Sequence, residues 1–344
     1  MAKAVKMADI AKVMGVSTVT VSKALSDQKG VSEELRAKIK KQAEEMGYKT
    51  ASALYNERAK HNVSYTIGVV VSDRFLDKYE SFYWKLYQEV ATAAVQKGCF
   101  TMLEVLQAED EENQILPKLV QERKADGLVI IGLLRENYLK KLMAQVEIPV
   151  IFLDFHDKND ICDAVISDSY YGMYVMTNHL FNMGHRDIAF VGNVLFTESI
   201  TDRYFGYMKS LYEHGIEVNP EWILYDRNPQ TGRSDRDFEM QLPDKMPTAF
   251  VCNNDVAAAM LVRKLEQEGY RVPQDISVVG YDNYQPPGLC DVRITTYEVD
   301  MKEMAKHTIK KMIRKISNEN YKQGVTVVNG KIIYKDSVAP RKIY

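Results

Sequence analysis

From Tyr65 onward, short and almost continuous apolar runs alternate with longer stretches of helical spacing. No other feature of this chain constrains its fold as much. The first series reads YTIGVVVSD, FTMLEV, GLVII, PVIFLD and AVISD; the second reads IAFVGN, TAFVCNND and SVVGYD. Between them lie helical patterns such as SFYWKLYQEVATAAVQKG and the stretch from Tyr170 to Met183. A strand that is apolar on both sides of its pleat must be covered on both faces, and a parallel sheet flanked by helices does this. The two series predict two parallel α/β lobes. Several strands end in a polar residue: Asp73, Asp154, Asn254 and Asp282. In open parallel sheets ligands bind beyond the carboxyl ends of the strands, so these residues point to a crevice between the lobes. Any one of them could instead cap a following helix, and Asp255, just before Val256 to Glu268, reads as such a cap.

The first 60 residues differ in kind. They carry 12 Lys/Arg against 7 Asp/Glu, a net of +5, whereas the whole chain has a net of −2. A small basic head on an acidic body predicts a polyanionic partner for the head alone. Within it, VSTVTVSKAL (residues 16–25) has strand-like period-2 alternation of valines. The flanks argue for helix. Ile10, Ala11, Val13 and Met14 repeat at helical spacing before Gly15, and Ser17 is a natural N-cap with Thr20 three residues on. As a helix, the stretch turns Val16, Val21, Ala24 and Leu25 inward and Thr18, Val19, Ser22 and Lys23 outward. Ser32 caps a third helix, with Glu33 and Glu34 in its first turn, running to about Met46. Three short helices with a tight glycine turn make a helix-turn-helix. Short outward side chains allow close approach to base edges. Thr18 and Val19 can touch thymine methyls, Lys23 can donate to guanine, and Ser17, Ser22 and Ser32 can bond phosphates. An unspecialised three-helix bundle is the bland alternative.

The run VKMADIAKVMGVSTVTVSKALSDQKGVSEELRAKI resembles the N-terminal signature of the lactose-repressor family of bacterial transcription regulators. NMGHRDIAFVGN, VCNNDVAAAM and DISVVGYDN follow as further family landmarks, so the resemblance covers essentially the whole chain. It implies an α/β body of two lobes, similar to periplasmic sugar-binding proteins, behind a small all-α head. The implied organisation is a DNA-binding domain over 1–48, a linker or degenerate hinge over 49–63, and an effector-binding body over 64–344. Lobe 1 takes about 64–168 and 298–324, and lobe 2 about 169–297 and 325–344, with three crossovers near 168, 297 and 324. The resemblance places Thr18, Val19 and Lys23 in the major groove. Phe82 and Tyr83 correspond to an aromatic wall for the effector, and Asp154, Arg203, Asn254 and Asp282 to its polar contacts. Trp84 extends that wall. Carboxylates accept from hydroxyls, arginine donates a fork and aromatic faces cover a pyranose, a set of groups coherent for a sugar. A purine or sugar phosphate acting as corepressor would use the same arginine and wall. Relatives often carry a polar contact where this chain has Val299.

The hinge departs from the family. Tyr48 is present, but Thr50 stands for the usual proline, Ala51 for the asparagine and Glu57 for the leucine wedge. A carboxylate cannot replace an apolar wedge in the minor groove, so weak or no kinking of the operator centre is expected unless Leu54 substitutes.

Other classes fit less well. No GxGxxG follows a strand, no Walker A motif occurs and no nucleophile elbow is present, which argues against an enzyme. Cys99, Cys162, Cys252 and Cys290 form no CxxC, and the six histidines, His179 and His185 included, show no metal spacing, so neither metal nor cofactor is expected. No apolar run approaches the roughly 18 residues of a membrane span, and MAKAVKMADIAK has no secretory h-region. A cytoplasmic protein is expected, not an exported solute-binding one. The chain ends at VAPRKIY without a leucine-heptad tail of the kind that makes tetramers. A palindromic operator needs two-fold symmetry, so a homodimer formed through the body is expected.

Overall fold

The computed structural model describes residues 7–25, 30–46, 48, 64–76, 81–157, 162–228, 238–285, 287–318 and 322–341. The hinge residues Thr50, Ala51, Leu54 and Glu57 lie outside this set. The chain divides into two compact units, residues 1–64 with 313–321 and residues 65–312 with 322–344.

In the first unit, α1 (Met7–Met14), α2 (Thr18–Leu25) and α3 (Glu33–Glu45) enclose a small core of Ile10, Ala11, Val21, Ala24, Ile39 and Ala43. The valine alternation of residues 16–25 is overridden by this core, since only a helix puts Val21 and Ala24 on one buried face. Gly15 links α1 to α2 at φ +62°, a left-handed conformation that suits glycine. Ser17 caps α2 through Thr20 N–H at 3.1 Å, and Ser32 caps α3 through Leu35 N–H. Arg36 is buried. It donates to the carbonyls of Lys23 (3.2 Å), Ala24 (3.4 Å) and Val31 (3.4 Å), fastening the end of α2 to α3.

The second unit holds two six-stranded sheets. The first lobe contains β1 (Thr66–Ser72), α4 (Phe82–Val95), β2 (Phe100–Leu106), two short helices α5 (Ala108–Glu112) and α6 (Lys118–Gln121), β3 (Gly127–Ile131), α7 (Glu136–Gln145), β4 (Val150–Leu153) and β5 (Asp163–Ser167). The second contains α8 (Ser169–Asn182), β6 (Ile188–Val191), α9 (Glu198–Glu213), β7 (Ile223–Leu224), β8 (Ala249–Cys252), α10 (Asp255–Gln267), β9 (Ser277–Asp282) and β10 (Thr295–Glu298). The chain then returns through α11 (Met301–Ile316) to β11 (Val325–Val328) and ends with β12 (Lys331–Ile333). The first sheet has the order β11-β5-β4-β3-β1-β2 and is parallel throughout. The second, β12-β10-β9-β8-β6-β7, is parallel except for β12, which runs antiparallel to β10. The central strands β3, β4, β6 and β8 are buried at every residue, as their unbroken apolar runs require.

Three crossings join the sheets, at 168, at 299–300 and at 329–330. The last two differ from the expected 297 and 324. β10 pairs with β9 as far as Glu298, and Val325–Val328 still pairs with β5, so these four residues belong to the first lobe's sheet. Cys99, Cys162 and Cys252 are buried thiols and Cys290 is partly buried.

Candidate functional site

The carboxyl ends of β4 and β9 carry the two central carboxylates. Asp154 follows β4 at φ +68° and Asp282 ends β9 at φ +95°, both in the left-handed region that is costly for a side-chain-bearing residue. Such strain persists only where surrounding contacts fix it, and it concentrates at binding sites. Tyr83, in the first turn of α4, donates to Asp154 Oδ2 at 3.0 Å. Phe82 meets Tyr83 edge-on at 5.2 Å, and Phe75 packs on its other side at 4.9 Å. The tyrosine is thereby held with its phenol towards the strand ends. Trp84 is exposed and packs against Tyr87 at 5.6 Å, away from this pair.

Arg203 enters from α9. Its Nη1 donates to the Asn253 carbonyl at 2.6 Å and its Nη2 to Asp282 at 3.2 Å. The guanidinium lies 3.8 Å from the centroid of the Tyr281 ring. Burial would lower the Arg203 pKa, but Asp282, Tyr281 and Asp154 around it hold it above the ordinary value. Burial pushes Asp154 up to about 7, with Asp282 adding to the effect while Arg203 and Tyr83 oppose it. Burial also raises Asp282, against the pull of Arg203. Asp154 and Arg203 come from different lobes and act on each other electrostatically, so the crevice is one connected charge system.

Asn254 is placed differently from its expected role. Its Oδ1 caps α10 by accepting from Ala257 N–H at 2.7 Å, and its Nδ2 donates to Asn253 Oδ1. The cap assigned to Asp255 is therefore supplied by Asn254, one residue earlier. Asp255 is instead buried, accepts from Tyr284 N–H at 2.8 Å, and is pushed up to about 8, first by burial and then by Asp282. The polar residue facing inward here is Asn253, which the strand-end reading passed over. It donates to Asp226, and Asp226 also accepts from Asn193 N–H and Arg227. Burial alone would raise Asp226, but Arg227 and these hydrogen bonds hold it below the ordinary carboxylate range. Val299 is buried. Asp73 opens a single helical turn after β1.

The head presents the expected α2 surface. Thr18, Val19 and Ser22 are exposed, with Val19 61% exposed, and Lys23 is partly so. Ser17 and Ser32 are exposed but their oxygens serve as caps. No helix among the described residues is long and apolar enough to cross a membrane.

Comparison with known proteins adds the following. Residues 6–51 match a family model described as bacterial regulatory proteins, lacI family, and residues 177–338 match a periplasmic binding protein-like domain. The HTH-type transcriptional repressor PurR of Aliivibrio salmonicida (strain LFI1238) is 26% identical over 333 residues, which is 96% of this chain and 98% of that protein. Among solved structures, a transcriptional regulator CelR–cellobiose complex has a TM-score of 0.67 at 20% identity, covering 97% of this chain and 99% of that one. A lac repressor dimer bound to operator and the anti-inducer ONPF has a TM-score of 0.64 at 21% identity, covering 98% of this chain and all of that one. These two likenesses establish the fold, a helix-turn-helix head with a two-lobed body.

Proposed function

We propose that this chain, which belongs to the lacI family of bacterial regulatory proteins, is a cytoplasmic, ligand-responsive repressor without enzymatic activity. It binds operator DNA as a homodimer through α2 and senses a small sugar in the crevice between its two sheets. The observation that carries the effector reading is the convergence of Asp154 from one lobe with Arg203 and Asp282 from the other, beside Tyr83. A ligand held by both lobes favours the closed arrangement, and only such differential affinity can shift an equilibrium that DNA binding also feels. The exposed Thr18, Val19 and Ser22 and the partly exposed Lys23 support the DNA reading. A purine or sugar phosphate is the competing effector class.

Calorimetric titration tests this. A thermal-shift screen of sugars, sugar phosphates and purines supplies the best hit, which is titrated into wild type, Arg203→Ala and Asp282→Asn. Arg203→Ala should cost roughly 2 kcal/mol or more of ligand affinity, because it leaves buried polar groups unpaired. It should also abolish the ligand's effect on operator binding while sparing operator binding without ligand. Full affinity in both mutants would move the site elsewhere, and a purine as best hit would favour the competing class.

A further inference from the structure

The chain passes between its two sheets at 168, at 299–300 and at 329–330, and two tyrosines of the second sheet reach these crossings. Tyr281 on β9 and Tyr297 on β10 are register partners in neighbouring parallel strands, so both side chains stand on one face of the sheet. Their rings lie 5.1 Å apart and are 0% and 2% exposed. Gly172, early in α8, leaves no room beside them. A Cβ there would lie 2.7 Å from the Tyr281 hydroxyl and 2.8 Å from the Tyr297 ring. Packing alone would be served by phenylalanine. The two hydroxyls need a further reason, because a buried O–H must find a partner.

Both partners are backbone groups of the crossings. Tyr281 donates to the Asp168 carbonyl at 3.1 Å, and Tyr297 accepts from Gly330 N–H at 2.9 Å. Asp168 N–H in turn donates to the Val328 carbonyl at 3.0 Å, which ties the first crossing to the third. Gly330 packs on the Glu298 carbonyl with no space for a side chain, so the middle crossing joins the same cluster. The Tyr281 ring also carries the Arg203 guanidinium, 3.8 Å from its centroid. That guanidinium holds Asp282 and the Asn253 carbonyl in the crevice. One side chain therefore touches the crevice arginine with its ring face and the first crossing with its hydroxyl.

We propose that Tyr281, backed by Tyr297, is the positioning residue that couples Arg203 in the crevice to the hinge between the lobes. This rests on the effector reading given above and adds how occupancy of the crevice is felt at the crossings. A planar guanidinium is attracted to an aromatic face, so its seat on Tyr281 depends on what else it holds. An effector group that redirects Arg203 changes the force on that ring. With Gly172 closing the space beside it, the ring cannot slip aside. The change passes through the hydroxyl to the Asp168 carbonyl, and from the Asp168 amide to Val328. Coupling of two sites needs an element of this kind, in contact with both.

The test is amide-resolved hydrogen exchange on the full chain without ligand, read at Asp168 and Gly330. Neither amide bonds to the Tyr281 hydroxyl, so an effect there has to travel through the hinge. Tyr281→Phe should speed exchange at both amides by about fivefold or more, the scale of one lost hydrogen bond. Tyr297→Phe should do the same at Asp168. Tyr207→Phe is the control: Tyr207 is 0% exposed, and its hydroxyl donates to the Ile188 carbonyl at 2.8 Å within the second lobe. It loses a comparable bond and should leave both crossing amides at wild-type rates. Arg203→Lys keeps the charge but removes the planar group. It should speed exchange at Asp168 in wild type yet add nothing in the Tyr281→Phe background. Wild-type rates at the crossings in Tyr281→Phe would overturn the hinge contact, and equal acceleration by Tyr207→Phe would reduce Tyr281 to a residue of general stability. An Arg203→Lys effect of the same size in both backgrounds would overturn the coupling. No effector enters this experiment, so these outcomes are separate from the calorimetry, which alone decides whether the crevice binds a sugar.

Discussion

Lys23 stands near the end of α2 with its side chain partly exposed and its carbonyl held by Arg36 at 3.2 Å. Its backbone is fixed by that bond while its ammonium remains available, a suitable combination for reading a base edge. Replacing Lys23 with Ala should cost about 1–3 kcal/mol on the cognate operator and relax preference at one base pair. Ser22→Ala should weaken all sequences more evenly, as loss of a phosphate contact does. Quantitative footprinting on the operator and its single-base variants checks both; an unchanged Lys23→Ala profile would remove Lys23 from the reading set. Arg36 has a different part. The family register includes it, but nothing in the local sequence says that its guanidinium would be buried on three carbonyls of α2 and the following turn. Contacts of that kind depend on chain separation and cannot be read from spacing.

At the scale of elements, α8 and α9 pack so closely that Gly206 leaves no room for a side chain. A Cβ there would lie 2.2 Å from the Tyr170 carbonyl oxygen and 2.9 Å from Tyr174 N. Both neighbours are backbone, so the contact cannot be relieved by a rotamer change. Gly206→Ala should therefore destabilise the body by about 1–3 kcal/mol, and by displacing α9 it should weaken effector binding through Arg203, three residues upstream. Urea denaturation with calorimetry on the same variant checks this; wild-type stability would show that the helices can separate at no cost. The strands were legible because buried parallel strands must be apolar throughout, and Asp154 and Asp282 because a polar residue closes such a run. β12 carried no such signal, being three residues long and antiparallel at an edge. The shift of the cap from Asp255 to Asn254 was hidden because adjacent residues can each cap a helix, and only the tertiary fold decides which one does.

For the whole molecule, the buried ionisable groups set how stability follows pH. Asp154 and Asp255 are raised to about 7 and about 8 in the folded chain, against 3.8 for the ordinary carboxyl. Between pH 4 and these values the folded state binds more protons than the unfolded state, so each group lowers stability as pH rises, by up to about 1.4 kcal/mol per pH unit. His179 and His185 are lowered from 6.5, in both cases first by burial. There the unfolded state binds more protons, so their contribution to stability is fully present above pH 6.5 and is lost as pH falls through the folded values. Just below pH 6.5 the two pairs oppose each other, so the decline should be shallower there than above it. From about 6.5 to 8 the histidines have finished titrating and the aspartates have not, so the stability of the ligand-free chain should fall. Asp255→Asn should flatten the upper part of that decline, between about 7 and 8, since Asp154 is largely titrated by then. Chemical denaturation at closely spaced pH values measures the slope directly. Stability that rises from pH 6.5 to 8 in wild type would mean that these two carboxylates are already ionised in the folded protein.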